Sequence, residues 1–540
     1  MLITPTGELQ ERAAIVTGRA TADATRAVAT KHADWSAAYH ILGRTGLTCS
    51  SAGFGSYRVD RRVQQHRTAL AKALQMGINI IDTSSNYATG NSERLIGEVL
   101  GGLITQGAIR REEVIIVSKG GYIQGALYEE MQRRANTPHA DYSAGSELSE
   151  IVRYNQGLWH SIHPDFLRDQ IDESLERLQL ETIDVYLLHN PEYFVQWAIG
   201  EGRAEDEVRD EYNRRIKQAF TYLESEVKRG RIQYYGISSN TFPKPEESID
   251  RTSLELSWNA AEEVAKELSL TEHHFAVVQF PLNIFEPGAV TERNQHRSMQ
   301  TVLEYAAEKG IGVLINRPLN AIVGNPEGKG SRLIRLADYP NREIPPDEDI
   351  EDLVHDVKLQ EEELVRQSLP FLGEDPQSKE AVEKFLTLGQ NLDGDNWKEF
   401  ASVEEWQEIS RNILAPRIQY AFNILRPIAA QNPLVMASLQ NYAEAVDGVL
   451  EHISNYYSNR GHDRSQKIHR ALNALMGPDY EGLSLSQKAV LLIRSLPQVS
   501  SVLVGMRSEE YVEDVVYGLQ AKALPNAAEL WQRLATAGAE

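Results

Sequence analysis

Eight short apolar runs punctuate the chain, and several are apolar on consecutive rather than alternate positions. They lie at 48–54 (TCSSAGF), 78–82 (INIID), 114–118 (VIIVS), 183–188 (IDVYLL), 233–237 (QYYGI), 275–280 (FAVVQF), 311–315 (IGVLI) and 500–504 (SSVLV). Consecutive apolar positions suit strands covered on both faces, as in a parallel sheet. Between these runs the apolar period lengthens to that of a helix. The stretch 63–76 places Val63, Leu70, Ala73 and Leu74 at helical spacing. The stretch 164–179 opens His-Pro-Asp, with Pro164 suited to a first turn, and continues with Phe166, Leu167, Ile171, Leu175 and Leu178. Further helices are predicted at 214–229, 256–268, 297–309, 485–496 and 508–518. Strand and helix alternating eight times predict an α/β fold, the (β/α)8 TIM barrel. An open doubly wound sheet would carry G-x-G-x-x-G after its first strand. Here that place reads Gly53-Phe54-Gly55-Ser56-Tyr57-Arg58, without the third glycine.

In such a barrel the chemistry gathers at the C-terminal ends of the strands. The second predicted strand ends at Asp82, with Tyr87 in the loop beyond. The third ends at Lys119 and the fourth at His189. The fifth runs into Ser238-Ser239-Asn240, the sixth ends at Gln279, the seventh at Asn316-Arg317 and the eighth at Gly505. Taken singly, these polar residues suit a solvated loop, a hydrogen-bonded strand end or a cap. Together, Asp82, Tyr87, Lys119 and His189 make a proton-transfer device. A tyrosine of pKa ~10 is a poor acid at neutral pH. A neighbouring ammonium is expected to lower that value, and an aspartate paired with the lysine holds it in place. A neutral histidine is expected to donate a hydrogen bond to a carbonyl oxygen and orient it. Such a site protonates an oxygen as hydride reaches the carbon. No side chain supplies hydride, so a nicotinamide cofactor is implied.

The charge balance narrows the partners. Acidic residues outnumber basic ones, 77 to 55, for a formal net charge of −22 over 540 residues. Such a chain repels phosphate backbones and anionic lipid, so neither nucleic acid nor a membrane surface is expected as a partner. The single cysteine, Cys49, allows no internal disulfide, which fits a reducing compartment. The first residues lack the pattern of a signal peptide, and no apolar stretch approaches the ~20 residues of a membrane span. A soluble, cytoplasmic protein is expected.

The motifs in order resemble those of the aldo-keto reductases: Leu42-Gly43-Arg44-Thr45-Gly46-Leu47, "GINIIDTSSNY", "VIIVSKGG", "SLERLQLETIDVYLLHNPE", "YYGISSN", "VVQFPLN", "GIGVLINRPLNAI" and "VSSVLVGMRSEEYVEDVV". They cover about 42–125, 160–320 and 482–520. The resemblance implies a (β/α)8 barrel that binds NADP(H), with NAD(H) also possible, and acts on a small carbonyl or alcohol substrate: an aldehyde, a ketone or a sugar. It implies catalytic roles for Asp82, Tyr87, Lys119 and His189. Ser238, Ser239 and Gln279 fall at the nicotinamide-carboxamide contacts. Gly55, Ser56, Tyr57, Asp82, Asn316, Arg317, Leu319, Gly505, Arg507 and Asp514 complete the implied cofactor site, and no metal is implied. This chain departs from the family where Asn316 replaces the usual aromatic residue, where Arg507 alone is basic in the loop for a 2′-phosphate, and where Val515 replaces an asparagine that meets the adenine. The segment after Tyr87 is expected to start the next helix, with Asn91 or Ser92 as its cap.

Three segments exceed a minimal barrel. Residues 1–40 form an extension of helical composition. Residues 121–160 lengthen the loop after Lys119 and suit a substrate lid. The barrel is expected over 41–321 and 483–525, a helical insertion over 322–482, and a tail over 526–540. The insertion opens with a polar loop containing Gly324, Gly328 and Gly330. An acidic run follows, Asp347, Glu348, Asp349, Glu351 and Asp352, which suits a solvated helix start. Beyond it Leu439, Tyr442, Val446, Val449 and Ile453 recur at helical spacing. The insertion is expected to form a helical cap over the barrel mouth that limits substrate size, because loops after barrel strands emerge on the catalytic face; an oligomer contact is the alternative, and the oligomeric state is open. The rival to an enzyme is a regulatory barrel protein acting through the insertion.

Overall fold

The computed structural model describes residues 15–537 apart from 139, 325–330, 344–345 and 373–375. Eight parallel strands close a barrel in chain order: β1 (Ala52–Gly55), β2 (Ile80–Asp82), β3 (Ile115–Gly120), β4 (Ile183–His189), β5 (Ile232–Ser238), β6 (Phe275–Pro281), β7 (Gly312–Asn316) and β8 (Ser501–Val504). β8 pairs with β1 in register Val504 to Phe54, which completes the ring. Strands β2, β3, β4, β6 and β8 are buried at every position. That double burial is why their sequences run apolar without alternation.

The stretch 48–54 is not one strand. Thr48–Ser50 pairs antiparallel with Tyr39–Ile41, and only Ala52–Gly55 enters the barrel. The break falls at Ser50 and Ser51, where the Ser50 hydroxyl donates to the Ala52 carbonyl at 2.7 Å. The hairpin shares the barrel's core: Leu42, Leu47 and Cys49 pack with Ile80, Val117, Val185, Leu187 and Leu314. Each such side chain, fully buried, is worth roughly 1.5–3 kcal/mol. The turn requires Gly43, at φ 51°, because a Cβ there would lie 2.2 Å from the Gly312 nitrogen.

The helices follow their local signals with shifted ends. Pro164–Leu178 is capped by His163, whose Nδ1 accepts from the Asp165 nitrogen at 3.2 Å, and it buries Phe166, Leu167, Ile171 and Leu178. The helix expected from 214 begins at Glu205, in a first turn of Glu205, Asp206 and Glu207 that favours the helix N-terminus without any apolar stripe. The one expected from 297 begins at Val302, held by a Thr301–Glu304 capping box, and a short antiparallel pair, Arg293–Gln295 with Gln300–Thr301, occupies the preceding residues. The extension carries a helix at Ala22–Lys31. The expected tail is also helical, Ala527–Ala537, with buried Trp531 donating to the Leu492 carbonyl at 3.1 Å. The stretch after β3 is no open loop. It forms a three-stranded antiparallel sheet and a helix, Gly125–Ala135, around Ile123, Met131, Leu148, Ile151, Trp159 and Phe166.

Residues Asn320–Ser486 form a second compact unit. It opens with a hairpin, Asn320–Gly324 against Ser331–Arg335, in place of the expected polar loop, and Gly328 and Gly330 lie outside the described residues. The acidic run starts the helix Asp347–Ser368, where Lys398 Nζ lies 3.1 Å from Asp347 and 3.7 Å from Glu351. The 44-residue helix Pro433–Met476 buries Leu439, Tyr442, Val446, Val449 and Ile453. These share a core with Trp397, Trp406 and Tyr457. Among the described residues no helix is long and apolar enough to cross a membrane.

Candidate functional site

The strand register puts five polar residues on one rim of the barrel. Asp82 lies opposite Gly55, Ser238 opposite both His189 and Gln279, and Lys119 opposite Leu187. Lys119 is fully buried, and its Nζ lies 2.8 Å from each Asp82 carboxylate oxygen. The ammonium donates further to the Thr83 carbonyl at 2.7 Å and to the Tyr87 phenol oxygen at 3.3 Å. Gln279 Nε2 donates to Asp82 Oδ1 at 2.7 Å, and Gln279 Oε1 accepts from the Ser238 hydroxyl at 3.1 Å. His189 completes the group, its ring centroid 6.0 Å from that of Tyr87.

Tyr87 reaches this rim through an unusual turn. Its nitrogen donates to the Ser84 carbonyl at 3.1 Å, and the next two residues, Ala88 and Thr89, sit at φ 47° and 56°. Left-handed backbone is uncommon for such residues and persists where the surroundings dictate it. Gly90, at φ 82°, is the N-cap of the helix Asn91–Thr105, so neither Asn91 nor Ser92 is the cap. Ser92 instead donates its hydroxyl to Ser56 Oγ at 2.7 Å, tying the helix to the β1 loop.

Burial dominates the electrostatics. It pushes the Asp82 carboxyl up and the Lys119 ammonium down, and their mutual attraction opposes both shifts. The Tyr87 phenol is raised well above its ordinary value, first by burial and then by the charge of Asp82, with the neighbouring Tyr57 phenol adding to the shift. The expected lowering by Lys119 is therefore overturned: Asp82 neutralises the ammonium, and desolvation disfavours the phenolate. His189 is held well below its ordinary value by burial and by Lys119 and His160, so its imidazole is neutral.

The remaining expected cofactor residues are dispersed. Gly55 and buried Ser56 end β1, and Tyr57 is exposed with its ring edge-on to Tyr87 at 5.4 Å. Ser239 places its hydroxyl in a buried cluster with Thr241 and Thr252, at 3.1 and 2.9 Å. Asn316 Nδ2 donates to Gln279 Oε1 at 3.4 Å, while its Oδ1 is buried without a hydrogen bond. Arg317 pairs with Glu286 at 2.8 Å. Leu319 is half-buried. Gly505 is exposed, Arg507 is half-buried near His66, and Asp514 accepts from Gln487 Nε2 at 2.8 Å.

A match to the family model described as "Aldo/keto reductase family" runs over residues 52–323, from β1 through β7. The chain belongs to the aldo/keto reductase family. Among curated relatives, the NADH-specific methylglyoxal reductase of Escherichia coli (strain K12) is 27% identical over 159 residues, which are 27% of this chain and 40% of that protein. The 6-dehydroglucose reductase of Novosphingobium aromaticivorans is 29% identical over 164 residues, 29% of this chain and 42% of that protein. The matched stretch thus spans less than half the length of either relative. A solved structure, the aldo-keto reductase AKR11C1 from Bacillus halodurans, aligns over 92% of this chain and 95% of that one, with a TM-score of 0.43 and 16% identity.

In this aldo/keto reductase family member, residues beyond the motif set support the site from behind. Glu93, fully buried, accepts from the Ser118 hydroxyl and from Arg177 Nε, both at 2.6 Å, immediately behind Lys119. Tyr122 sets its ring against His189 at 4.6 Å and accepts from Asn190 Nδ2 at 2.9 Å. His160 Nε2 donates to the His189 backbone oxygen at 2.7 Å. Gly121, at φ 154°, lets this chain pass, since a Cβ there would lie 2.6 Å from His160 Nε2. Only the glycine pair after Lys119 signals this crossing in the sequence.

Proposed function

We propose that this aldo/keto reductase family member is an NAD(P)(H)-dependent oxidoreductase that interconverts a carbonyl and an alcohol. Tyr87 gives a proton to the carbonyl oxygen in reduction and takes it back in oxidation. The observation that carries this is the buried Lys119 ammonium, bonded to Asp82 and donating to the Tyr87 oxygen at 3.3 Å. With its oxygen accepting from Lys119, the phenol keeps its own proton for a substrate oxygen. The raised phenol value keeps the proton on Tyr87 at neutral pH but weakens it as an acid, and the Lys119 hydrogen bond to the phenol oxygen offsets this by stabilising the negative charge that builds there as the proton leaves.

A bound nicotinamide would supply or accept the hydride. The residues present fit its carboxamide. Ser238 and Gln279 offer side-chain hydrogen-bonding groups on the rim, and the orphaned Asn316 Oδ1 lacks a donor. The relatives' names, a methylglyoxal reductase and a 6-dehydroglucose reductase, support a small carbonyl compound as substrate. Purified full-length protein, assayed with NADPH and NADH against a panel of aldehydes, ketones and sugars, tests the proposal. No turnover with either cofactor, in either direction, would remove it.

Arg507 is assigned the 2′-phosphate. It follows β8 and adjoins Ser508, the N-cap of the helix Glu509–Leu519. A guanidinium–phosphate contact is charge-assisted, worth about 1.5–3 kcal/mol. Arg507→Ala should therefore weaken NADPH binding about tenfold to a hundredfold and leave NADH nearly unchanged. Equal losses for the two cofactors in a binding titration would contradict the assignment.

A further inference from the structure

We infer that a cavity between the helices Glu205–Lys228 and Leu254–Glu267, beside the loop that follows β5, binds a small phosphate monoester whose phosphate is held by Arg209 and Arg251. The cavity shares no residue with the rim around Tyr87, so the inference stands whatever that rim catalyses.

The cavity holds about 300 Å³, and Arg209, Tyr212, Ile216, Arg251, Ser253 and Leu256 are among its lining. Both guanidiniums are half-buried, and the hydrogen bonds they make go to backbone carbonyls. Arg209 donates to the carbonyls of Arg251 at 2.9 Å, of Ser248 at 3.3 Å and of Ile249. Arg251 donates to those of Glu246 at 3.4 Å and Asn294 at 3.0 Å. These bonds occupy about half of the N–H donors that two arginines carry, and they meet none of the charge. Among the described residues neither guanidinium forms an ion pair, although Glu205 lies one turn before Arg209, in the order that favours one. Arg214 and Arg215 on the same helix do pair with Glu211, at 2.7 and 2.8 Å. Burial lowers the pKa of Arg251; Glu246 draws it back up, the Arg209 charge lowers it further, and Glu255 opposes that. Two cations close enough to repel thus line one cavity without a carboxylate in contact, in a chain of net charge −22. Glu246 is the one carboxylate of the lining, and it is exposed, where water and salt screen it.

A phosphate monoester fits this lining. Its terminal oxygens accept several N–H bonds at once, and guanidiniums present their donors in the matching fork. Ser253, the N-cap of the second helix, brings that helix's positive end to the cavity. Ile216, Leu256 and the Tyr212 ring add an apolar wall for the organic part of an ester. A volume of about 300 Å³ lies at the lower end of small-molecule sites and is more than a bare phosphate fills.

The test is calorimetric titration of full-length protein carrying Arg507→Ala, which keeps phosphate off the position assigned to the cofactor's 2′-phosphate. Propyl phosphate should bind one site at about 1 mM or tighter, inorganic phosphate several-fold more weakly, and propanol not at all. Arg209→Gln and Arg251→Gln should each weaken propyl phosphate about tenfold to a hundredfold. Arg209 also braces the carbonyls of the loop, so Asn213→Asp serves where Arg209→Gln does not fold. Asn213 lines the cavity at an exposed position one turn after Arg209, and an aspartate there supplies the missing carboxylate. It should weaken propyl phosphate by about tenfold or more without lowering the urea midpoint. Lack of saturable binding below about 10 mM overturns the inference, as does an affinity that ignores Arg251→Gln and Asn213→Asp. Equal affinity for inorganic and propyl phosphate overturns the assignment to an ester.

Discussion

Replacing Tyr87 by phenylalanine should lower carbonyl reduction by about 10²–10⁴-fold while NADPH and NADH still bind. The substitution removes one oxygen and leaves the ring between Tyr57 and His189, at 5.4 and 6.0 Å. It also frees Lys119 of its weakest contact, at 3.3 Å, and keeps the Asp82 and Thr83 contacts, at 2.8 and 2.7 Å. The rim should therefore hold its shape, and the cofactor residues on β5 and β6 are untouched. The decisive measurement pairs single-turnover rates with cofactor titration by fluorescence. Near-native rates would mean that another group delivers the proton. Loss of cofactor binding in step with loss of rate would mean that Tyr87 is structural.

Asp184→Asn should cost the barrel about 3–5 kcal/mol, a large share of the ~5–15 kcal/mol that holds most domains together. Asp184, fully buried near the start of β4, accepts four hydrogen bonds. Oδ1 takes the Ala20 nitrogen at 2.7 Å and Gln233 Nε2 at 2.6 Å. Oδ2 takes Arg111 Nη2 and the Ile116 nitrogen, each at 2.8 Å. One carboxylate thus ties β3, β4, β5 and the N-terminal extension together. Asparagine turns an NH2 group toward two donors and leaves the buried Arg111 without its counter-charge. The midpoint of urea unfolding, followed for the barrel, should drop accordingly. A shift of less than ~1 kcal/mol would place the pair with weak surface ion pairs instead.

Asp184 was invisible as a staple in the sequence, where it is the one charge in an otherwise apolar run, IDVYLL. Glu93 and Ser84 were missed for a related reason. A glutamate and a serine at the start of a helix or turn suit capping and solvent equally well. Nothing local says that Glu93 faces Arg177 and Ser118, or that Ser84 faces His189, since those partners lie 84, 25 and 105 residues away. The phenol of Tyr87 teaches the same point for charge. The sequence places an ammonium near it, which alone lowers its pKa. Burial and the Asp82 charge are tertiary facts, and they reverse the sign.

Sequence by itself determined the repeating strand and helix units, because backbone periodicity and burial on both faces act over a few residues. It also determined which residues meet on one rim, because a closed parallel barrel sends the C-terminal end of every strand to the same side. Asp82, Lys119, His189, Ser238 and Gln279 were legible on that ground alone. Tertiary structure decided what no local pattern carries. It split 48–54 into a hairpin strand and a barrel strand, since only the packed barrel core rewards burying Leu47 and Cys49 there. It turned Tyr87 into the rim through two left-handed residues that nothing in "NYATGN" requires. It placed Ser239 in a Ser–Thr cluster and gave 121–160 a sheet and core of its own. Contacts between residues far apart in the chain set these outcomes, and their energies exceed the weak preferences of any short stretch.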